Sequence, residues 1–138
     1  MNAPNPYLVA TSLLFTIPTT LGAYNRQWPL YFSFLLITLT SSLYHATKNK
    51  YLLIIDYPAC CNLIVSLYFY TKHINHTGYY MISTGSCGIL FWGGYFTNHF
   101  VFSSEYTEKT ASHMIMHIIV VCSGIAASYL VEKHKMLV

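Results

Sequence analysis

Charge is what this chain has least of. Of its 138 residues only 8% are Asp, Glu, Lys or Arg, whereas 54% are hydrophobic and 17% aromatic; a soluble domain carries about 25% charged residues. The deficit excludes an ordinary water-facing surface, and a formal net charge of +3 is too small to suggest a nucleic-acid partner. No basic residue precedes the first apolar stretch and no convincing small-residue cleavage site follows it. That stretch therefore reads as a helix of the mature protein rather than a signal peptide. Cys60, Cys61, Cys87 and Cys122 lack the paired spacing of a zinc ribbon and fall inside apolar stretches, where they read as small packing residues silent about redox compartment. There is no internal repeat, no low-complexity run and no linker that would set off a second domain.

What is present is a series of apolar stretches at 7–24, 30–47, 51–71, 79–100 and 110–131. Each is near the roughly 20 residues that a helix needs to cross a bilayer. They predict an all-α, polytopic transmembrane helix bundle of about five spans, forming one domain over 1–138. The breaks are polar: Asn25 to Pro29, Lys48 to Lys50, Lys72 to Gly78 and Ser103 to Lys109, with a charged segment from Glu132 to Lys135. Pro18 interrupts the first span. Tyr7, Tyr24, Trp28, Tyr31, Tyr51, Tyr79 and Tyr80 crowd the span ends, as an interfacial aromatic belt requires. Lys48, Lys50 and Lys109 fall on the side of the N-terminus and Arg26, Lys72, Lys133 and Lys135 on the other, a near-even division that sets no orientation. Asn75-His76-Thr77 matches a glycosylation sequon, in a loop short enough to hug the membrane.

Against this apolar background, Ser41-Ser42-Leu43-Tyr44-His45, Asp56 and His113-Met114-Ile115-Met116-His117 stand out, because polar and ionisable groups at membrane depth need compensation. At about 1.5 Å per residue inward from the basic breaks, His45 lies ~5 Å deep, Ser41 ~10 Å, Asp56 ~9 Å, His113 ~6 Å and His117 ~12 Å, all in one leaflet. Ser41 and His45 are spaced i, i+4, as are His113 and His117, so each pair points from one helix face. Three helices thus have polar faces able to converge on one point.

Three neutral imidazoles suit zinc, bound at about 2.0 to 2.1 Å with a fourth position open, the arrangement of catalytic rather than structural sites. The expected ligands are His45, His113 and His117. Asp56 is the expected proton acceptor and Ser41 the hydroxyl that orients the nucleophile or donates to a developing oxyanion, a set that favours hydrolysis of an amide or ester. An uncompensated Asp at bilayer depth costs about 2.5 to 3.5 kcal/mol, and a nearby dication would offset this. Plainer roles compete. Ser41 belongs to a run of hydroxyls, Thr38, Thr40, Ser41 and Ser42, of a kind that routinely bonds to the preceding helical turn. His-x-x-x-His also serves haem, packing or proton transfer. His99 reads as an interhelical hydrogen-bonding residue, and His73, His76 and His134 as solvated.

The combined pattern resembles the CREST superfamily: Ser-x-x-x-His in one helix, Asp at the start of the next and His-x-x-x-His in the last. That superfamily comprises the alkaline ceramidases, the adiponectin- and progestin-receptor group with bacterial hemolysin III, the Per-type GPI-lipid remodelling proteins and the myomaker relatives. The likeness covers Ser41 to His117. Ser41-Ser42-Leu43-Tyr44-His45 looks like the Ser-x-Leu-Tyr-His of the hemolysin III branch, whereas Asp56 followed by Pro58 looks like the ceramidase branch. The resemblance implies Zn2+ held by His45, His113 and His117, with Asp56 and Ser41 beside the activated water, and hydrolysis of a ceramide-like membrane lipid. Members of the superfamily usually have seven spans where this sequence gives five. The shortfall implies a minimal version, a homo-dimer that completes the lipid pocket, or a relic that binds zinc without turnover. Three functions therefore stand: a zinc-dependent, ceramidase-like membrane lipid hydrolase; a noncatalytic zinc protein with a receptor-like or membrane-remodelling role; and a haem-binding bundle using axial His. Asp56 and Ser41 count against haem, which has no use for a carboxylate at that depth.

Overall fold

In the computed structural model, which describes residues 4–73 and 76–137, the chain is an all-α bundle with no strand among the described residues. The helices are α1 (Pro6–Leu13), α2 (Thr16–Tyr24), α3 (Trp28–Thr47), α4 (Lys50–His73), α5 (Thr77–Gly88), α6 (Gly94–Thr97) and α7 (Tyr106–Leu137). A π-helical turn, Ile89–Gly93, joins α5 to α6, and a 3-10 turn, Phe100–Phe102, precedes α7. Asn75 of the sequon lies outside the described residues, as do the side chains of His73 and Thr77.

The first predicted span is two helices. Pro18 has no N–H to give the carbonyl of Leu14, and its ring crowds that carbonyl; the helix accordingly breaks at Leu14 and Phe15, one turn before the proline itself. Asn5 starts α1 as its N-cap, accepting from Leu8 N at 3.2 Å, with Pro6 at the first helical position, the arrangement that helix N-termini favour. At the end of α2, Arg26 takes the left-handed conformation (φ 54°) and Gln27 N–H reaches Gly22 O at 2.7 Å. A Cβ on Gly22 would lie 3.0 Å from Tyr31 N, so the missing side chain is what lets α2 pack closely on α3.

The α3–α4 turn is equally local. Lys48 is left-handed (φ 55°) and its N–H bonds Tyr44 O at 2.7 Å, while Asn49 Oδ1 accepts from Tyr51 N at 2.9 Å. So short a link makes the two helices antiparallel neighbours and puts His45 and Asp56 at the same end. Ser33 fastens the middle of the pair, 2.8 Å from Ser66 and accepting from Asn62 at 2.9 Å.

The predicted span at 79–100 is not one regular helix. Gly85, Gly88, Gly93 and Gly94 weaken it, the π turn interrupts it, and it ends at Thr97 because Asn98 turns left-handed (φ 56°). The last helix exceeds its predicted span at both ends, taking in Glu108, Lys109 and the charged segment Glu132 to Lys135.

Among the described residues, three segments are long and apolar enough to cross a membrane: Pro6–Tyr24, Lys50–Lys72 and Tyr106–Met136. The α3 helix has the length, 20 residues, but Thr38, Thr40, Ser41, Ser42 and His45 dilute its apolarity. Many large apolar side chains point outward, among them Phe32, Leu39, Ile54, Phe69, Ile82 and Phe96, a surface that water-soluble monomers rarely tolerate. Inside, Phe15, Leu30, Phe34, Ile37, Leu63, Leu67, Val121 and Ala127 form one core. The cysteines are free; Cys61 and Cys122 face outward, and Cys60 and Cys87 are half-buried.

Candidate metal centre

The last turn of α3 and the third and fourth turns of α7 meet at the end of the bundle that carries Lys48, Lys50 and Lys109. There His45, His113 and His117 each offer a ring nitrogen, and these atoms all lie within 4.8 Å of one another. Ring centroids are 4.8 Å apart for His45–His113 and for His113–His117, and 5.5 Å for His45–His117. The i, i+4 spacing on α7 stacks two of the rings on one face, and the antiparallel α3–α4 hairpin delivers the third. His45 and His117 are buried and His113 is half-buried. Phe15 floors the cluster, its ring centroid 5.2 Å from that of His117.

Two of the rings have a polar neighbour at Nδ1. His117 Nδ1 lies 2.9 Å from Thr11 Oγ1. His45 Nδ1 lies 3.2 Å from the Lys48 ammonium, while His45 Nε2 is buried with no protein partner among the described residues. Such an orphan is costly unless something satisfies it, and an imidazole nitrogen among two others suits a borderline-soft cation such as zinc. Burial, with Lys109 adding to it, holds the Lys48 ammonium below the usual lysine range.

Asp56 is not a member of this cluster, and Ser41 lies one turn before His45 on α3. The half-buried Asp56 accepts from Thr40 Oγ1 at 2.7 Å. Ser41, 2% exposed, pairs with Ser12 Oγ at 3.0 Å, and because Ser12 gives its own proton to Leu8 O at 2.7 Å, Ser41 is the donor. Neither has an imidazole as hydrogen-bond partner. His99, expected as an interhelical hydrogen-bonding residue of the fourth span, is instead an exposed residue of the link after α6, its Nδ1 3.2 Å from Glu108 Oε1 of α7, an atom that also accepts from Phe100 N–H at 3.0 Å. His76 and His134 are exposed.

Sequence reasoning missed what α1 contributes. Asn5 donates from Nδ2 to Thr110 at 3.0 Å, and its backbone N–H takes the carbonyl of His45 at 3.1 Å, one of the free carbonyls ending α3. With Thr11 and Ser12, it makes α1 a strap across the histidine cluster. The signals were an Asn-Pro cap and a Thr-Ser pair in an otherwise apolar stretch, and hydroxyls there usually bond within their own helix.

Comparison with known proteins found no family model, no curated protein and no solved structure that matches this chain.

Proposed function

We propose that this chain is a multi-pass integral membrane protein of the CREST type that binds zinc through His45, His113 and His117 and hydrolyses a ceramide-like lipid amide or ester. The observation that carries the reading is the buried three-imidazole cluster with an unpartnered His45 Nε2. The resemblance at Ser41, His45, Asp56, His113 and His117 adds the reaction class. Zinc, when bound, supplies Lewis acidity and brings the pKa of a water to about 7.

The protein's own groups do the rest. Asp56, oriented by Thr40, takes a proton from the attacking water and returns it to the leaving nitrogen or oxygen. Ser41 donates to the oxyanion once it turns from Ser12. The outward apolar side chains keep the acyl chains in lipid while the amide approaches the end of the bundle where the imidazoles lie. Asp56→Asn is expected to lower turnover of a ceramide-type amide by about 100-fold or more, the usual scale of general-base loss, with zinc content unchanged. Turnover equal to wild type in Asp56→Asn would remove the base assignment.

One observation favours a second reading, in which zinc only ties α3 to α7: Asp56 and Ser41 are already bonded to Thr40 and Ser12. Zinc-loaded wild type that cleaves no lipid amide or ester would select it. A haem site is a poorer fit, because rings packed with centroids 4.8 to 5.5 Å apart leave no slot for a macrocycle.

Lys48 gives a further check. Its ammonium faces His45 Nδ1 at 3.2 Å, and a cation ligated at Nε2 obliges Nδ1 to carry a proton, which turns this contact into a repulsion of like donors. Lys48→Met is therefore expected to tighten zinc binding several-fold in a chelator competition assay. Weakened binding would show that Lys48 supports the ligand instead.

A further inference from the structure

We propose that Thr11 is a positioning residue of the metal centre, setting the tautomer of His117 so that Nε2 is the nitrogen offered to zinc. This rests on the zinc reading above and adds a residue from α1, an element without a ligand of its own.

The Thr11 hydroxyl has one hydrogen and lies 3.1 Å from Tyr7 O and 3.2 Å from Leu8 O. Both carbonyls are acceptors only, and we assign that hydrogen to them, since helical hydroxyls routinely bond the preceding turn. With the hydrogen so placed, Thr11 Oγ1 presents a lone pair to His117 Nδ1, 2.9 Å away, and Nδ1 carries the N–H. A neutral imidazole protonated at Nδ1 has its free lone pair at Nε2. Thr11 is 6% exposed and His117 7%, so water does not compete for the contact. The Phe15 ring against His117 prevents the imidazole from flipping cheaply. Second partners of this kind fix ring orientation and raise ligand basicity.

The ordinary role for such a threonine, a hydroxyl satisfied inside its own helix, is filled by Thr19, whose Oγ1 bonds only Phe15 O at 2.7 Å. Thr11 makes the same kind of bond and one more, across to α7.

The test compares zinc affinity, by competition with a chromogenic chelator, in detergent-purified wild type, Thr11→Val, Thr11→Ser and Thr19→Val, with helix content checked by circular dichroism. Valine keeps the shape of threonine and deletes the acceptor. The expected result is zinc binding weakened by about 10- to 100-fold in Thr11→Val, restored in Thr11→Ser and unchanged in Thr19→Val. Thr11→Ala takes the place of the valine variant if the latter does not fold. Wild-type affinity in a folded Thr11 variant lacking the hydroxyl, or an equal loss in Thr19→Val, overturns the role of Thr11 and leaves the zinc reading standing. No zinc in wild type overturns the zinc reading itself.

Discussion

His45→Ala is expected to lose zinc outright while retaining its helices. The cluster has three nitrogens and no carboxylate among its members, so removing one imidazole leaves two donors for an ion that wants at least three from the protein. Losing only an outer partner of a ligand costs about 10- to 100-fold in affinity, and losing the ligand exceeds that. Mass spectrometry of detergent-purified protein should find near-stoichiometric zinc in wild type and none in His45→Ala or His117→Ala. His99→Ala should match wild type, since its ring pairs with Glu108 outside the cluster. Thermal unfolding gives an independent reading. Zinc at about 100 times its dissociation constant adds about 2.7 kcal/mol to the folded state, and that gain should vanish with His45. Stoichiometric zinc in His45→Ala would place the metal elsewhere.

Gly124→Ala should destabilise the bundle, against the trend for helical glycine. Alanine in a helix is normally favoured over glycine by about 1 kcal/mol. At this position, however, a Cβ would lie 2.6 Å from Phe34 Cε2 and 2.8 Å from Pro18 Cβ, and nearer still to Phe34 Cζ. Phe34 is 0% exposed and has nowhere to swing, so α7 must move away from α2 and α3. Overpacking of this kind costs about 1 to 3 kcal/mol. Since Gly124 sits two turns along α7 from His117, the displacement reaches the imidazoles, and zinc affinity should fall with stability. Gly85→Ala is the contrasting control: a Cβ there meets nothing within 4 Å, and the variant should be as stable as wild type or more so. A Gly124→Ala protein that melts at or above the wild-type temperature would show that the crossing has slack.

The convergence of the three histidines was legible because three separate signals agreed: i, i+4 spacing, depth measured from the basic breaks, and the scarcity of charge along the chain. Helix boundaries were legible where proline, asparagine or lysine ends a run, as at Lys48-Asn49. They were misplaced where glycines loosen an apolar stretch without ending it, as around the π turn at Ile89–Gly93. The break at Leu14 was readable one turn away, at Pro18. The strap formed by α1 was not readable, because a hydroxyl bonded within its helix and one that also reaches a histidine 106 positions away have the same local sequence. Asp56 was legible as a residue needing a partner, but nothing local to it identifies that partner as Thr40.

The span of the site along the chain has a consequence for how the molecule is made. Asn5 meets Thr110 and Thr11 meets His117, separations of 105 and 106 residues, whereas the α3–α4 hairpin closes over a two-residue turn. A ribosome that has released α1 through α4 has exposed one imidazole of the three, with the strap over it still unfastened. Long-range closure is the slow part of folding, so the histidine cluster is among the features a nascent chain completes late. Any truncation before α7 leaves a bundle that holds its early hairpin and has no centre.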